Sequence, residues 1–293
     1  MTRAGEPKPP GSRPAERGPN LLGDLARAGL PRYLLMPGDP ERVSLMARQW
    51  SKAREHPLPR GFRAATGQFN GVALASLASG MGAPSLELML TEAVQAGAET
   101  IIRVGTTGSL HAHIENGHLI VNEAAVRLDG TTDFYARPEY PAAASYEVTL
   151  ALVEACERLS VPYHVGIAAT TSSFFVGQGR MASGFRGRGG ADVVAEMREA
   201  GVLNFEMEGS ALFVLARLLG VRAGMVTSVI GNRVSGEWAD RGGTERACRV
   251  AAEAVTILAE WDRLKEASSA RSYFPSLGRG PRVSEADERR TRG

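Results

Sequence analysis

Three groups of side chains in this chain have types and neighbours suited to chemistry. Arg42, Arg60 and Arg103 stand beside Gly38 and the run Gly105-Thr106-Thr107-Gly108. Guanidinium forks next to backbone that a ligand can approach closely are natural partners for phosphate. Glu206-Met207-Glu208 lies where an apolar run passes into a helical pattern. Acidic residues at a helix start are ordinary dipole partners, and a carboxylate such as Glu208 can equally accept both O–H groups of a cis-diol while Met207 packs on a sugar; both readings stand on these residues alone. The third group is Phe174 with Gln178-Gly179-Arg180. A glutamine offers an acceptor and a donor on one edge, complementary to the imide edge of uracil, and Arg180 could stabilise a carbonyl that gains negative charge. The same two residues in a glycine-rich loop also read as simply solvated. G-x-x-x-x-G-K-[ST] and G-x-G-x-x-G are both absent, which favours an inorganic, reacting phosphate over a bound nucleotide.

The elements that must position these residues alternate between apolar strand-like runs and helical patterns. Strands are predicted over residues 33–36, 72–79, 100–104, 119–126, 163–169, 202–205 and 225–230, and helices from Pro84, over 146–159, 208–219 and 244–264. Asp39 can cap a further helix with Pro40 at its first position. Gly105–Gly108 is expected to be a tight turn closing the strand that carries Arg103. Such alternation predicts an α/β sheet covered by helices, with any site at the C-terminal ends of strands. Phe174–Gly190, with its many glycines, reads as a loop or lid, and Ile230–Asp240 as a second site-forming loop carrying Asn232, Arg233, Glu237 and Trp238.

The chain of 293 residues is 43% hydrophobic, enough for one substantial core. Lys and Arg total 34 against 32 Asp and Glu, so the overall balance supplies no argument for nucleic-acid or membrane partners, and an anion site must be local. Cys156 and Cys248 have neither metal-like nor redox-motif spacing, which suits a reducing cytoplasm. No apolar run is long enough to span a membrane, and no signal peptide is visible. Residues 1–19 and 267–293 are rich in Pro, Gly and charge and are expected to be disordered, leaving one folded domain over 20–266.

Pro-Gly-Asp-Pro-Glu-Arg-Val at 37–43, Arg-Val-Gly-Thr-Thr-Gly at 103–108, Val-Arg-Leu-Asp-Gly at 126–130, Gly-Gln-Gly-Arg at 177–180, Glu-Met-Glu at 206–208 and Ile-Gly-Asn-Arg at 230–233 together resemble the uridine phosphorylases of the trimeric and hexameric nucleoside phosphorylase superfamily. The resemblance runs in order from about Arg32 to Leu264. It implies an α/β fold with a mixed, partly barrel-like central sheet flanked by helices, and reversible phosphorolysis of uridine, with deoxyuridine or thymidine as further substrates. It further implies a phosphate site of Gly38, Arg42, Arg103 and Thr106, completed by Arg60 from a neighbouring subunit. Ribose would meet Met207, Glu208 and Thr106. The base would meet Thr107, Gly108, Phe174, Gln178, Arg180 and Phe205, with Ile230 on the wall and Arg233 supporting the loop. Arg180, Gln178, Glu208 and Thr106 would carry the catalysis. Neither a metal nor a covalent nucleophile is required, and phosphate is a co-substrate. A cytoplasmic homo-oligomer, a hexamer built from dimers, is implied.

The chain departs from that pattern at three places. No histidine precedes His56, where family members place one near the ribose 5′-hydroxyl; Asn20 or Asp24 occupies that region. Gly61 follows Arg60 where some members have a glutamate that helps hold a monovalent cation between subunits, so that ion is an open point. Gly231 stands where the pocket wall is often valine, and is expected to widen the base pocket. The rival readings are a purine nucleoside phosphorylase, a nucleosidase using water, and a non-catalytic nucleoside-binding protein. The nucleosidase is disfavoured because water needs no arginine cluster.

Overall fold

A computed structural model of the chain describes residues 20–185, 187 and 192–279. The segments 1–19 and 280–293, both expected to be disordered, and residues 186 and 188–191 of the glycine-rich loop lie outside the described residues. A short helix α1 (Asp24–Ala28) leads into β1 (Tyr33–Pro37), α2 (Pro40–Ala47), the strands β2 (Ser51–Pro57), β3 (Arg63–Phe69) and β4 (Val72–Leu77), and α3 (Ala83–Gln95). Next come β5 (Thr100–Ser109), β6 (Leu119–Leu128), β7 (Ala142–Ala143), α4 (Tyr146–Arg158) and β8 (Tyr163–Thr171). The chain continues through α5 (Val193–Glu199), β9 (Asn204–Glu206), α6 (Gly209–Leu218), β10 (Arg222–Asn232) and α7 (Gly243–Ser268).

Among the described residues, ten strands form one mixed sheet in the order β10-β6-β8-β9-β5-β1-β4-β3-β2, with β7 paired to β6. Because β10 also pairs with β5, the strands β10, β6, β8, β9 and β5 close into a barrel, and β1, β4, β3 and β2 extend from it as an open wing. This is the partly closed, mixed sheet expected from the sequence. Helices cover both faces. Val43 and Met46 of α2, Val148 and Leu152 of α4, and Val255, Leu258 and Trp261 of α7 join one buried cluster. Leu25 of α1, Leu86 and Leu90 of α3, and Leu212, Phe213 and Leu215 of α6 join the other. Each fully buried Leu, Ile, Val or Phe among them contributes about 1.5–3 kcal/mol relative to exposure. The apolar positions of α3, Leu86, Met89, Leu90 and Ala93, recur at helical spacing and are all buried. No helix among the described residues is long and apolar enough to cross a membrane.

Gly105–Gly108 is not a turn. It continues β5 without a break, because β10 pairs with it in parallel from Arg222↔Thr100 through Thr227↔Gly105 to Val229↔Thr107. On its other side β5 changes partner. The pairing with β1 ends at Pro37↔Val104, and that with β9 begins at Gly108↔Phe205. Over Gly105–Thr107 the edge is therefore open, which is how a sheet makes a crevice for a ligand. The polar strands β2 and β3 were not foreseen; β2 is exposed along nearly its whole length and gives no apolar pattern to read.

The residues beyond α7 that were assigned to the tail fold back on the body over 269–279. The Tyr273 ring stacks on Trp261 at 3.9 Å, and its backbone N–H donates to Glu147 at 2.9 Å. An aromatic ring able to cover a buried tryptophan holds this stretch down despite its polar composition.

Candidate active site

The split in β5 opens into a cavity of about 440 Å³. Among its lining residues are Gly38, Arg42, Arg103, Thr106, Thr107, Gly108, Phe174, Gln178, Arg180, Phe205, Met207, Glu208 and Ile230, all singled out from sequence. They come from the end of β1 and the start of α2, from β5, from the ends of β9 and β10 and from the loop that follows β8. Asp39 accepts the N–H of Glu41 at 2.9 Å as the cap of α2, with Pro40 behind it, which fixes the turn that presents Gly38.

At one end of the cavity Arg103, 5% exposed, ion-pairs with Glu208 and donates to Ser79 Oγ at 3.3 Å. Its Nε has no hydrogen-bond partner among the described residues. A Cβ on Gly38 would come within 3.1 Å of the Gly80 carbonyl and would stand 3.6 Å from Arg103 Nη2, so glycine lets the backbone pass close beside this guanidinium. Arg42 donates to the Val104 carbonyl at 2.9 Å; burial, and next the charge of Arg103, lower its pKa. Two guanidinium groups held together in this way favour an anion between them.

Glu206 and Glu208 have different tasks. Glu206 accepts from the N–H groups of Glu208 at 2.8 Å and Gly209 at 2.7 Å and from the Thr170 hydroxyl, fixing the first turn of α6. Burial and then the neighbouring Glu208 charge push its pKa up, while Arg103 and these donors oppose the rise. Ser210 ties the same turn to Asp129, donating from Oγ at 2.6 Å. Glu208, 3% exposed, also accepts from Gly82 N and faces the cavity.

At the far end Arg180 donates to Gln178 Oε1 at 2.6 Å and to the Phe174 carbonyl at 3.0 Å. Its guanidinium lies 4.4 Å from the Phe174 ring centroid and 5.4 Å from that of Trp238. Burial, and then the charge of Arg233, lower its pKa to about 10, so it is cationic at neutral pH. Arg233 does not line the cavity; it donates to the Gln178 carbonyl at 2.9 Å, tying the loop after β10 to the Gln178 loop. Thr107 commits its hydroxyl to the Phe205 carbonyl at 2.6 Å. Gly108 lies five positions beyond Arg103 along the strand, about 16 Å of backbone at the usual rise.

Arg60 is exposed, sits outside this lining, and has a left-handed backbone with φ of 60° between β2 and β3. Gly231 does not widen the pocket. The Trp238 ring lies against it, with Cδ2, Cε2 and Cε3 each 3.2 Å from where a Cβ would stand, and Trp238 itself lines the cavity. Asp39, Pro40, Gly80, Met81 and Glu206 also line it and were not named as site residues from sequence. The capping pattern at Asp39-Pro40 signalled the first two; nothing local marks Gly80 and Met81, which arrive through the pairing of β4 with β1.

The family description "Phosphorylase superfamily" matches residues 32–260. The chain belongs to this phosphorylase superfamily. Within it, the chain is 46% identical to a uridine phosphorylase of Thermococcus kodakarensis over 87% of this chain and 90% of that protein. It is 36% identical to the uridine phosphorylase of Escherichia coli over 69% of this chain and 81% of the relative. A guanosine phosphorylase of Halorubrum lacusprofundi is 31% identical over 82% of this chain and 98% of its own length. The superfamily's phosphorylase chemistry needs an anion subsite beside a nucleoside subsite, and the two charged ends of this cavity supply candidates for both.

Proposed function

We propose that this chain catalyses the reversible phosphorolysis of uridine to uracil and ribose 1-phosphate, a pentosyl transfer serving pyrimidine nucleoside salvage. One observation carries the reading: a single cavity has paired arginines and Glu208 at one end and the Gln178–Arg180 pair at the other. The relatives with the higher identities, named uridine phosphorylases, support the pyrimidine assignment over the purine one.

In the proposed reaction Gly38, Arg42, Arg103 and Thr106 hold phosphate. Glu208 accepts the ribose hydroxyls, with Met207 and Thr106 beside the sugar. A phosphate oxygen forms the new bond to the anomeric carbon as the glycosidic bond breaks and its electron pair leaves with the base. Arg180 and Gln178 bind the uracil anion that results, and Phe174, Phe205, Thr107, Gly108 and Ile230 enclose the ring. The chemistry asks for no metal and no covalent nucleophile.

Arg60 points to assembly. Its place outside this chain's own cavity supports a role in a neighbour's site, in a homo-oligomer such as a hexamer of dimers. The free, buried Cys156 and Cys248 fit a cytoplasmic setting.

The test is base release from a panel of uridine, deoxyuridine, thymidine and inosine, with and without inorganic phosphate. Uridine cleavage that requires phosphate and far exceeds inosine cleavage is the expected result. Equal turnover without phosphate would replace the reading by a nucleosidase, and comparable rates on inosine would replace it by a purine phosphorylase.

A further inference from the structure

The base end of the cavity is closed by a large ring resting on an absent side chain. After Ile230 the chain makes a short loop and returns to its own strand, where Asn232 N donates to the Glu237 carbonyl and Ala239 N to the Ile230 carbonyl, both at 3.0 Å. These bonds pair Gly231 with Trp238 as an antiparallel bridge. The indole thereby lies over the glycine, its ring atoms 3.2 Å from where a Cβ would stand, while Trp238 as a whole remains 55% exposed. Its ring centroid is 6.3 Å from that of Phe174, and the Arg180 guanidinium lies beside both aromatic rings.

We propose that Trp238, seated on Gly231, is a specificity-determining residue: it limits the base to a single ring and keeps Arg180 over it. This rests on the uridine reading above. Contact with one more or one fewer methylene discriminates weakly, whereas a wall that cannot yield excludes a second ring outright. Backbone bonds on both sides of the Gly231–Trp238 bridge hold Trp238 opposite the glycine, and the glycine has no side chain to keep the indole off the wall. A valine or other branched residue at 231 would occupy the space that the indole fills.

The experiment compares kcat/KM for uridine and inosine in the wild type, Trp238→Ala, Trp238→Phe, Gly231→Ala and the double variant Gly231→Ala/Trp238→Ala. Removing the indole should raise the absolute kcat/KM for inosine by about tenfold or more, with Trp238→Phe remaining near the wild type. Gly231→Ala, whose new Cβ must displace the indole, should shift the inosine-to-uridine ratio by about threefold or more in the wild-type background and by nothing in the Trp238→Ala background. A Trp238→Ala enzyme whose absolute inosine kcat/KM does not rise would overturn the proposal, and so would a Gly231→Ala effect that persists undiminished without the indole. A ratio that rises only through lost uridine turnover counts against it as well. Failure of the functional reading would appear separately, as a wild type that releases no uracil from uridine with phosphate present.

Discussion

Arg180 and Gln178 share a hydrogen bond at 2.6 Å and so present one donor surface, but truncating each has a different expected consequence. Arg180→Ala removes the cation that meets charge developing on the departing base, so kcat should fall about 100-fold or more while KM changes far less. Gln178→Ala leaves one edge of a buried base unpaired, and kcat/KM should fall by about 1–3 kcal/mol in equivalent free energy. Steady-state kinetics on uridine separate the two, and an Arg180→Ala enzyme with undiminished kcat would remove Arg180 from the reaction. These side chains were legible in the sequence because amide, guanidinium and carboxylate groups stood beside glycines. Trp238 was visible only as a loop residue. Its partner is a glycine, and a glycine seven positions upstream gives no sign of which ring will cover it until the loop's return onto β10 is known.

The alternation of strands and helices was legible because apolar runs and amphipathic patterns are local. The misread stretch, Gly105–Gly108, has turn composition yet lies in the middle of β5. Pairing from β10 and β9 overrode local preference, and a Cβ on Gly105 would stand only 3.0 Å from Thr227 Cγ2. The far ends of these elements are joined by charges that no local pattern reveals. Arg222 of β10 donates to Asp262 of α7 at 2.8 and 2.6 Å and to Glu147 of α4 at 2.9 Å, while Tyr33 of β1 donates to Asp262 at 2.6 Å. Burial alone would raise the Asp262 pKa, but hydrogen bonds from Arg222, Tyr33 and Lys265 hold it well below the usual carboxylate range. A carboxylate whose folded pKa is depressed stabilises the fold above its unfolded pKa, about 3.9, and loses that contribution as pH falls toward the folded value. Asp262→Asn should therefore cost about 2–3 kcal/mol at pH 7, less than a fully buried pair because Arg222 is 23% exposed, and the deficit should shrink below about pH 4. Chemical denaturation of both proteins across pH 2–7 measures it. A deficit that did not change with pH would mean that the carboxylate's charge is not what matters there.

The whole molecule places its cavity where a barrel and an open wing of the same sheet part company, so the site draws residues from both parts of the fold. The wing contributes Gly38 and Arg42, and the barrel contributes Arg180, Phe205 and Glu208, with β5 belonging to both. This division suits a reaction that joins two separately bound substrates, and it makes the fate of the phosphate the decisive observable. The most direct measurement incubates the purified protein with uridine and isotopically labelled inorganic phosphate and follows the label and the sugar together. The expected result is ribose 1-phosphate carrying the label, formed mole for mole with uracil and consumed again when uracil is supplied in excess. Uracil released alongside free ribose, with all the label still in inorganic phosphate, would contradict phosphorolysis and leave the arginine cluster without the role assigned to it.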